Sequence, residues 1–563
     1  MVQPGGVAVA CVGHSQVRRG RPGAVPAVLL LVSIAILGFS TLVLGGLPPA
    51  PEPPSFAAQL CSLPQQWLLR TRRGHFGPRS GQITLLPRTP AYMASGGSGW
   101  SHSGPWPYLQ EVPLVLFGPG LVPPVGTVER PVTMASIAPT LSALMGRDEA
   151  LGRVDGGVLS EAMTEEAAPP RLILVIVWDG GGWNTLRRWS GAWPHLEELM
   201  AAGLSYSNAT VGSSPSVTPS VHTTLGTGIY PDRSGITGIP VRYEDGHVGD
   251  VFLHGASSRF LRVPALAELW DERNGNRPLI GMLGYEPWHL GMIGKGAERA
   301  GGDKDDALWL DVETNEWITN PDHYRLPEAV VTTPGLEADL ERLDRADGAA
   351  DGAWGSIEAF DDPDRVEETP AFVAYHGRAL RRLIVKEGYG ADSVTDLLFT
   401  NFKQIDRLGH YFNMASDEVR QALVASDVEL GKTVEFLERR LGRNNFLVVL
   451  TADHGQQPDA ADIDAYGIDP GEVERDLDEA FGPVTQAVWP TEVFLDDDEL
   501  RARDVSVAAV ARWLSSYELR DNTRRPDMLV SGAGEFEPGD RLFSVAAPAR
   551  LLERPGLCGN RAP

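Results

Sequence analysis

Five side chains that could bind metal ions come shortly after apolar stretches of the sequence. They are Asp179, Asp406, His410, Asp453 and His454. Carboxylate oxygen and imidazole nitrogen together suit Zn²⁺, or Mn²⁺ where carboxylates dominate. Five ligands exceed the need of one catalytic ion, and two ions about 4 Å apart stabilise both the attacking and the leaving oxygen of a displacement at phosphorus. The pattern therefore predicts a two-metal centre suited to that chemistry.

Each of these residues has a simpler interpretation when it is taken alone. Asp179 and Asp453 could cap helices, and His454 could be a hydrogen-bonded core histidine. Asp406 and His410 could form an exposed ion pair. The recurrence of such residues after three separate apolar runs favours a common site over these explanations.

The three apolar runs, 171–178, 396–402 and 445–451, are predicted to be strands. A parallel strand that is buried on both faces has a continuous apolar sequence, and ligands gather at its carboxyl end. Ser416 is predicted to cap a helix whose apolar residues recur at helical spacing as far as Gly442. Strands that alternate with helices predict an α/β fold with a mostly parallel central sheet flanked by helices.

A segment rich in serine and threonine, residues 213–228, supplies a candidate nucleophile. Pro219 at a first helical position would place Thr218 at the N-cap, where free backbone N–H groups and the helix dipole attract an anion. A hydroxyl bound to a metal at that position would lose its proton easily. The alternative is that Thr218 only caps its helix. His222, one turn further on, is interpreted as a packing or supporting histidine rather than a ligand.

Composition excludes several classes of protein. The chain has 563 residues, 42% of them hydrophobic, which is typical of a folded protein and not of a disordered or collagen-like one. The formal net charge of −25 repels a nucleic-acid backbone, so we expect no polymeric nucleic acid as a partner. Three cysteines are too few for a disulfide scaffold and include no CxxC pair for a metal site.

An uncharged apolar stretch, residues 24–47, is predicted to be one transmembrane helix. Arginines precede it and none follows before Arg70, so the positive-inside rule places a tail, 1–23, in the cytoplasm. This would be a single-pass cell-membrane protein with its catalytic domain outside the cytoplasm. A cleaved signal peptide is the alternative, which the length of the apolar stretch and the lack of a clear cleavage site disfavour. Residues 48–60, rich in proline, are predicted to be a spacer.

Four motifs resemble the alkaline phosphatase superfamily, specifically its nucleotide pyrophosphatase/phosphodiesterase branch. In chain order they are VIVWDG at Asp179, the Thr218 segment running to TGIYPDRSGITG, DRLGH at His410 and TADHG at His454. The resemblance implies a two-zinc phosphodiesterase or phosphatase whose threonine forms a phosphothreonine intermediate. Its substrate would be a small phosphate ester, with nucleotides and lipid headgroups among the candidates.

The resemblance also implies a division of the ligands between the two ions. One ion would take Asp179, Thr218, Asp453 and His454. The other would take Asp406, His410 and a further histidine that in the family lies nearer the C-terminus than the DHG motif. No histidine follows His454 in this sequence.

The missing histidine has a counterpart near the start of the chain. His102, with the EVPLVLFGPGL and VTMASIAPTLSALMG stretches after it, resembles the closing segment of the family. We therefore expect a circular permutation in which residues 61–146 carry that segment and His102 completes the second metal site. An acidic linker, 147–170, would join it to the main part of the catalytic domain, 171–563, in which 295–370 is interpreted as an insertion or cap.

The permutation places Cys61 and Cys558 close to the new chain ends. Both lie on the oxidising side of the membrane in the predicted topology, so we expect them to form a disulfide.

The sequence departs from the family at one position that bears on substrate binding. Relatives that cleave phosphodiesters commonly have an asparagine shortly after the nucleophile helix, where this chain has Ile239. Asn208, Arg242 or backbone N–H groups at the helix start could replace it. No CxPxR-type motif surrounds Thr218, which disfavours sulfate esters.

Two other functions stay open at this level. A membrane-anchored transferase of phospho-alcohol headgroups would use the same threonine and metals. A catalytically silent ectodomain would keep the fold for binding, although such a protein has no evident need for a cluster of mutually repelling carboxylates.

Overall fold

The structure is a computed structural model that describes most of the chain beyond residue 52. The described residues are 53–94, 100–146, 151–164, 167–252, 256–311, 314–355, 363–523 and 536–559. The predicted tail, 1–23, and anchor, 24–47, lie outside them and stay predictions. Within the described ranges no helix combines the length and apolar character needed to cross a bilayer.

The strands of the described residues are numbered here in chain order. They are β1 (Ile83–Pro87), β2 (Tyr92–Met93), β3 (Leu114–Phe117), β4 (Gly126–Val128), β5 (Val132–Thr133), β6 (Leu172–Trp178), β7 (Leu204–Tyr206), β8 (Ala209–Thr210), β9 (Pro240–Arg242), β10 (Val248–Asp250), β11 (Ile280–Leu283), β12 (Asp306–Asp311), β13 (Glu316–Ile318), β14 (Asp396–Phe402), β15 (Phe446–Thr451), β16 (Gly467–Ile468), β17 (Thr485–Trp489), β18 (Thr491–Leu495) and β19 (Phe543–Pro548).

The α-helices are numbered in the same way. They are α1 (Phe56–Ser62), α2 (Gln65–Gly74), α3 (Pro107–Gln110), α4 (Ile137–Leu144), α5 (Trp183–Arg188), α6 (Pro194–Ala202), α7 (Thr218–Thr227), α8 (Pro231–Ser234), α9 (Leu266–Arg273), α10 (Glu328–Val331), α11 (Leu336–Asp344), α12 (Pro370–Leu383), α13 (Gln404–Phe412), α14 (Asp417–Leu441), α15 (Pro470–Phe481), α16 (Asp497–Ala502) and α17 (Val507–Leu514).

A nine-stranded sheet forms the centre of the fold, in the order β13-β12-β11-β14-β6-β15-β3-β7-β4. Seven of these strands run in one direction, while β3 and β13 run against their neighbours. The α/β class is confirmed, and the sheet is mostly parallel, with the two reversed strands making it mixed. The reversed strand β3 matters for the site. Its amino end lies at the edge of the sheet where its antiparallel neighbour β15 ends.

The central strand β6 is buried on both faces, which explains its uninterrupted apolar sequence. In β6, Ile173, Val175 and Val177 pack into a core cluster on one face of the sheet. Leu174 and Trp178 pack into a second cluster on the other face. An alternating pattern would place polar groups against one of these cores, and so a continuous apolar run is the sequence that fits.

The elements predicted from hydrophobic pattern are confirmed. The three apolar runs form β6, β14 and β15. The helix α14 begins after Ser416, whose hydroxyl accepts a hydrogen bond from the N–H of Val419 at 3.2 Å. It ends before Gly442, which adopts a φ of 83°.

A second, four-stranded sheet unites the two ends of the described chain. Its order is β17-β18-β1-β19, and β1 pairs antiparallel with both of its neighbours. The expected disulfide between Cys61 and Cys558 is present, with Cα atoms 5.3 Å apart. The first and last described segments are therefore spatial neighbours, covalently joined.

Two of the predicted connecting segments are more ordered than the sequence indicated. The spacer, 48–60, becomes helical at Phe56, where α1 begins. In the linker, 147–170, Leu159 is 1% exposed and belongs to a core cluster. The linker also makes polar contacts, since the carboxylate of Asp155 accepts hydrogen bonds from the N–H of Tyr230 and the guanidinium of Arg233.

The region 295–370, interpreted from sequence as an insertion or cap, contributes to the central sheet. Its strand β12 pairs in parallel with β11, and β13 pairs with β12 to form the edge. Leu336, Leu340 and Leu343 of α11 pack against the core cluster on one face of the sheet. This part of the chain thus belongs to the core architecture.

Candidate active site

The register of three adjacent strands brings the candidate ligands together. The strand β6 lies between β14 and β15, and all three are parallel. The last residue of β14, Phe402, pairs with Trp178 at the end of β6, and Thr451 of β15 pairs with Val177. Residues that follow these strands therefore emerge at one edge of the sheet, as expected for a ligand site in such folds.

A first group of ligand atoms consists of Asp179, Asp453 and His454, all at most 1% exposed. His454 Nε2 lies 3.3 Å from Asp179 Oδ1 and 3.4 Å from Asp453 Oδ2. These three atoms are buried and have no hydrogen-bond partner among the described residues. Buried polar atoms without a partner are rare in folded proteins, so three that converge on one point fit a bound cation.

A second group surrounds the Oδ1 atom of Asp406. That oxygen lies 3.6 Å from His102 Nε2 and 3.5 Å from His410 Nε2, while His454 Nε2 is 3.8 Å away. Asp406 and His410 share one face of α13 because they are four residues apart. His454 lies between the groups, and its ring stacks on that of His102 with centroids 3.5 Å apart.

The three histidines are oriented by backbone carbonyls. A carbonyl only accepts hydrogen bonds, so the Nδ1 atom of each ring carries the proton and the Nε2 lone pair faces the cluster. Metal-binding histidines in proteins are commonly held in this way. The contacts are His102 Nδ1 to the carbonyl oxygen of Ser216 at 2.9 Å, His410 Nδ1 to that of Trp100 at 2.6 Å, and His454 Nδ1 to that of Gly455 at 3.0 Å.

His102 reaches this edge because β3 is reversed. Leu114 at the start of β3 pairs with Thr451 at the end of β15, so the segment before β3 lies beside the ends of the parallel strands. A hydrogen bond of 2.8 Å from the Ser216 hydroxyl to the carbonyl of His102 ties this segment to the loop that carries Thr218. A residue early in the chain thereby joins ligands that are far away in sequence.

Electrostatics also favours cations in the cluster. Burial, and then repulsion by Asp179, raises the pKa of Asp453 to about 8. Burial, and then the neighbouring His454 ring, holds the pKa of His102 well below its ordinary value, so this imidazole is neutral. Neutral imidazoles and closely spaced carboxylates are the donor set that binds divalent zinc. The residues present therefore fit the two metal ions that the sequence implied.

Thr218 is the first residue of α7, and the cap position belongs to Val217. The sequence placed Thr218 one position earlier, at the N-cap. Its side chain is 1% exposed, and its hydroxyl oxygen lies 3.0 Å from Lys403 Nζ. The candidate nucleophile thus adjoins the ligand cluster through a buried ammonium group.

Lys403 is the functional candidate that the sequence analysis missed. Its Nζ donates to Asp179 Oδ2 at 2.9 Å and lies 2.8 Å from Asp406 Oδ2. In both carboxylates the other oxygen, Oδ1, faces the imidazoles, so Lys403 leaves both groups of ligand atoms free to hold ions. A lysine at the end of an apolar strand, three residues before Asp406 and thus on one helical face with it, was the available signal.

Two buried side chains support the nucleophile helix and Asp179. His222 Nδ1 donates to the carbonyl of Thr218 at 2.8 Å, and its Nε2 lies 3.1 Å from the amide nitrogen of Asn401. That amide also donates to Asp179 Oδ2 at 3.0 Å. Both nitrogens of His222 therefore have partners, in keeping with a supporting role.

Glycines after β6 permit the close approach of the loops. A Cβ atom on Gly182 would lie 2.5 Å from the backbone of Gly455, next to His454. Gly180 adopts a φ of +69°, and a Cβ there would lie 3.0 Å from the Cα of Asp406. Side chains at either position would separate the strand ends that carry the ligands.

The suggested substrate contacts are not brought to the cluster. Asn208 is exposed and donates to the carbonyl of Glu129 at 2.6 Å. Arg242 donates to Gln82 and to the carbonyl of Leu495, which connects the loops to the second sheet. Ile239 lines a small cavity together with Ser103, Val217, Trp489 and Phe494, and it offers no donor beside the nucleophile helix.

Comparison with known proteins gives the family. A family described as type I phosphodiesterase / nucleotide pyrophosphatase matches residues 173–519, more than half of the chain. The chain belongs to this family. The resemblance seen in the four motifs is thus confirmed, and membership makes the chain a phosphoric ester hydrolase. The matched span includes Asp179 and His454 but begins after His102, and the circular permutation stays a prediction.

Curated relatives and a solved structure agree with this placement. Alkaline phosphatase PafA of Elizabethkingia meningoseptica is 24% identical over 377 residues, 58% of this chain and 67% of the relative. Alkaline phosphatase PhoV of Synechococcus elongatus is 23% identical over 336 residues, 52% of this chain and 60% of the relative. The crystal structure of wild-type PafA superposes with a TM-score of 0.51 at 19% identity, covering 63% of this chain and 77% of that chain, which shows a shared alkaline phosphatase-like fold.

Replacement of His102 by alanine should lower the metal content of the purified protein from about two divalent ions per chain to about one. The reason is that the second group loses one of its imidazoles, whereas the first group keeps all of its ligands. Elemental analysis of dialysed protein measures this. His247→Ala is the matched control, because His247 is exposed and its contacts with Asp245 and Tyr243 are local. A His102→Ala protein that keeps both ions would contradict the assignment.

Proposed function

We propose that this protein is a phosphodiesterase or phosphatase with a Thr218 nucleophile and two zinc ions, acting outside the cytoplasm. The observation that supports this best is the convergence of two groups of ligand atoms beside a buried threonine hydroxyl. The family and the alkaline phosphatases among the relatives support the same class of reaction.

In the proposed reaction, Thr218 Oγ forms a bond to phosphorus while the bond from phosphorus to the leaving oxygen breaks. A monoester leaves a phosphothreonine and a diester leaves its alkyl ester. Water then hydrolyses this intermediate, which releases phosphate or a phosphate monoester and restores the hydroxyl. Bound zinc ions would supply Lewis acidity to both steps. The N–H groups of the first turn of α7 favour negative charge at Thr218, since it is the first residue of that helix.

Lys403 is proposed to bind the phosphoryl group. Its Nζ lies 3.0 Å from Thr218 Oγ, so a phosphoryl group bonded to that oxygen lies within reach of the ammonium. Ile239 offers no donor where relatives commonly have an asparagine, and Lys403 would provide a charged one. A fixed buried charge costs little reorganisation during the reaction, which is the usual basis of such stabilisation.

Zinc is the proposed metal because of the donors. The two groups contain three imidazole nitrogens and three carboxylates, and this borderline mixture suits zinc better than the all-oxygen sets preferred by Mg²⁺ and Ca²⁺. Manganese is the alternative that the carboxylates leave open.

The silent-ectodomain alternative is disfavoured by the burial of the ligands. Asp179, Asp406 and Asp453 are at most 2% exposed, and their mutual repulsion would destabilise a protein that bound no cation between them. The transferase alternative uses the same residues and differs only in the acceptor. Product analysis with an added alcohol separates it from hydrolysis.

The extracytoplasmic location is proposed from the apolar stretch 24–47 and from the disulfide. Disulfides such as Cys61–Cys558 persist in oxidising compartments and are rare in the cytosol. The substrate would be a small phosphate ester that reaches the outer side of the membrane, such as a nucleotide or a lipid headgroup.

The circular permutation is proposed from the position of the chain ends. The segment 100–117 supplies both His102 and a central strand, yet it precedes the span that matches the family. The strand β1 lies between β18 and β19 in the second sheet, so segments from both ends of the described chain form one structure. Such proximity of ends is the condition under which permuted chains fold.

Replacement of Thr218 by alanine should lower turnover of phosphate esters at least about a thousandfold, because the nucleophilic oxygen is removed. Thr218→Ser keeps a hydroxyl at the same position and should retain measurable activity. A panel of monoesters and diesters, assayed with and without a chelator, measures both variants and the substrate preference. Substantial turnover by Thr218→Ala would exclude the proposed intermediate.

Replacement of Lys403 by methionine should lower kcat/KM by about a hundredfold or more, as expected when a charged group beside the transferred phosphoryl is lost. Lys432→Met, on the exposed surface of α14, should be unaffected and serves as the control. The metal content is measured in parallel. It should stay the same, because the oxygens of Asp179 and Asp406 that face the imidazoles stay in place. Unchanged kinetics in Lys403→Met would show that the lysine has no part in the reaction.

A rearranged chain should fold if the permutation is real. It would begin at 171, run to 559, continue through a short linker to 53 and end at 170, so that 147–170 keeps its core contacts. The linker is feasible because Cys61 and Cys558 have Cα atoms 5.3 Å apart. We expect a thermal midpoint and metal content close to those of the natural order. Aggregation of the rearranged chain would argue against the proposal. The same rearranged chain with His102→Ala is the control for loss of one ion.

A further inference from the structure

Three carboxylates outside the active site converge on one point. Asp271 lies in α9, and Asp303 and Asp305 lie in the loop that leads into β12. One oxygen of each lies within 4.8 Å of those of the other two. Asp271 and Asp305 are 4% and 7% exposed, while Asp303 is exposed to solvent. Two of the three acidic groups are thus removed from water together.

A second observation indicates a missing partner. The Oδ1 atom of Asp271 is buried and has no hydrogen-bond partner among the described residues. Leaving such an oxygen unsatisfied carries a free-energy cost, so native structures pair it with a donor, a water molecule or an ion. Its nearest acidic neighbours can only accept hydrogen bonds when they are ionised, so in the ionised cluster the partner must come from outside it.

The neighbouring cationic side chains have other carboxylates to pair with. Arg299 lies 3.3 Å from a carboxylate oxygen of Glu272 and 3.8 Å from one of Glu268. Arg325 pairs with Asp306, the residue that follows the cluster, at 2.6 Å. The local charge is therefore negative, and burial, followed by repulsion from Asp303, raises the pKa of Asp271 to about 7.

We propose that Asp271, Asp303 and Asp305 form a Ca²⁺ site. All three donors are oxygens, which hard divalent cations prefer, and no histidine or cysteine belongs to the group. Oxygens bound to one Ca²⁺ at about 2.3–2.6 Å can lie up to about 5 Å apart, a limit that the observed spacing meets. Water completes the coordination on the exposed side of Asp303.

The site is separate from the catalytic cluster. It lies where β12 begins, at the amino edge of the parallel strands, whereas Asp179 and Asp453 follow strands at the carboxyl edge. A cation here joins α9 to the loop before β12. Its effect is to fix one end of a strand near the edge of the central sheet, and its role is structural.

Calorimetric titration of the full chain with Ca²⁺, after Zn²⁺ has been supplied to the catalytic groups, tests this proposal. We expect about one Ca²⁺ per chain and a rise in the thermal midpoint with millimolar Ca²⁺. Asp303→Asn removes one charged ligand from an exposed position and should weaken binding about tenfold or more, with loss of the thermal shift. Asp322→Asn, an exposed aspartate nearby in the sequence, is the control and should bind as the unaltered chain does.

The outcomes separate a metal site from a purely structural cluster. If Asp303→Asn changes the thermal midpoint equally with and without Ca²⁺, the carboxylates act through repulsion alone and the proposal is wrong. Absence of binding to the unaltered chain, or tighter binding of Mg²⁺ than of Ca²⁺, would overturn it as well. Asp305→Asn should also weaken Ca²⁺ binding. This result would show that the effect of Asp303→Asn is not specific to position 303.

Discussion

The mutual repulsion of Asp179, Asp406 and Asp453 is the constraint on which the rest of the structure depends. The parallel strands that carry them deliver all three carboxylates to one edge of the sheet, in a place that water does not reach. Such an arrangement is stable only when positive charge lies between the groups. The three imidazoles and the ammonium of Lys403 share this space, with one oxygen of Asp179 and of Asp406 facing the imidazoles and the other facing the lysine.

Much of the fold was predictable because it depends on local sequence. A largely apolar run of six or seven residues indicates a strand covered on both faces, and all three runs are strands, although the one at 396–402 also contains polar residues. The helix α14 was predictable at both ends, since Ser416 caps its first turn and Gly442 adopts the φ that ends it. The spacing of Asp406 and His410 on one helical face likewise follows from helical periodicity.

What the sequence did not predict depends on tertiary contacts. The position of Lys403 after an apolar strand was a weak local signal, and its role appears only when Thr218 and Asp179 are packed around its ammonium. The edge strand β13 has only three residues, and its place in the sheet depends on pairing with β12, which in turn pairs with β11. Asn208 was a plausible substrate contact by residue type, but it is exposed and donates to the backbone carbonyl of Glu129.

The second sheet constrains how the protein is made. The strand β1 has β18 on one side and β19 on the other, so its backbone groups find both partners only after nearly all of the described chain has left the ribosome. Until then one early strand retains an open edge, which invites pairing with foreign strands. The Cys61–Cys558 disulfide then joins the two segments covalently. Folding of this enzyme is therefore completed by the segment that carries Cys558 and not by the catalytic motifs.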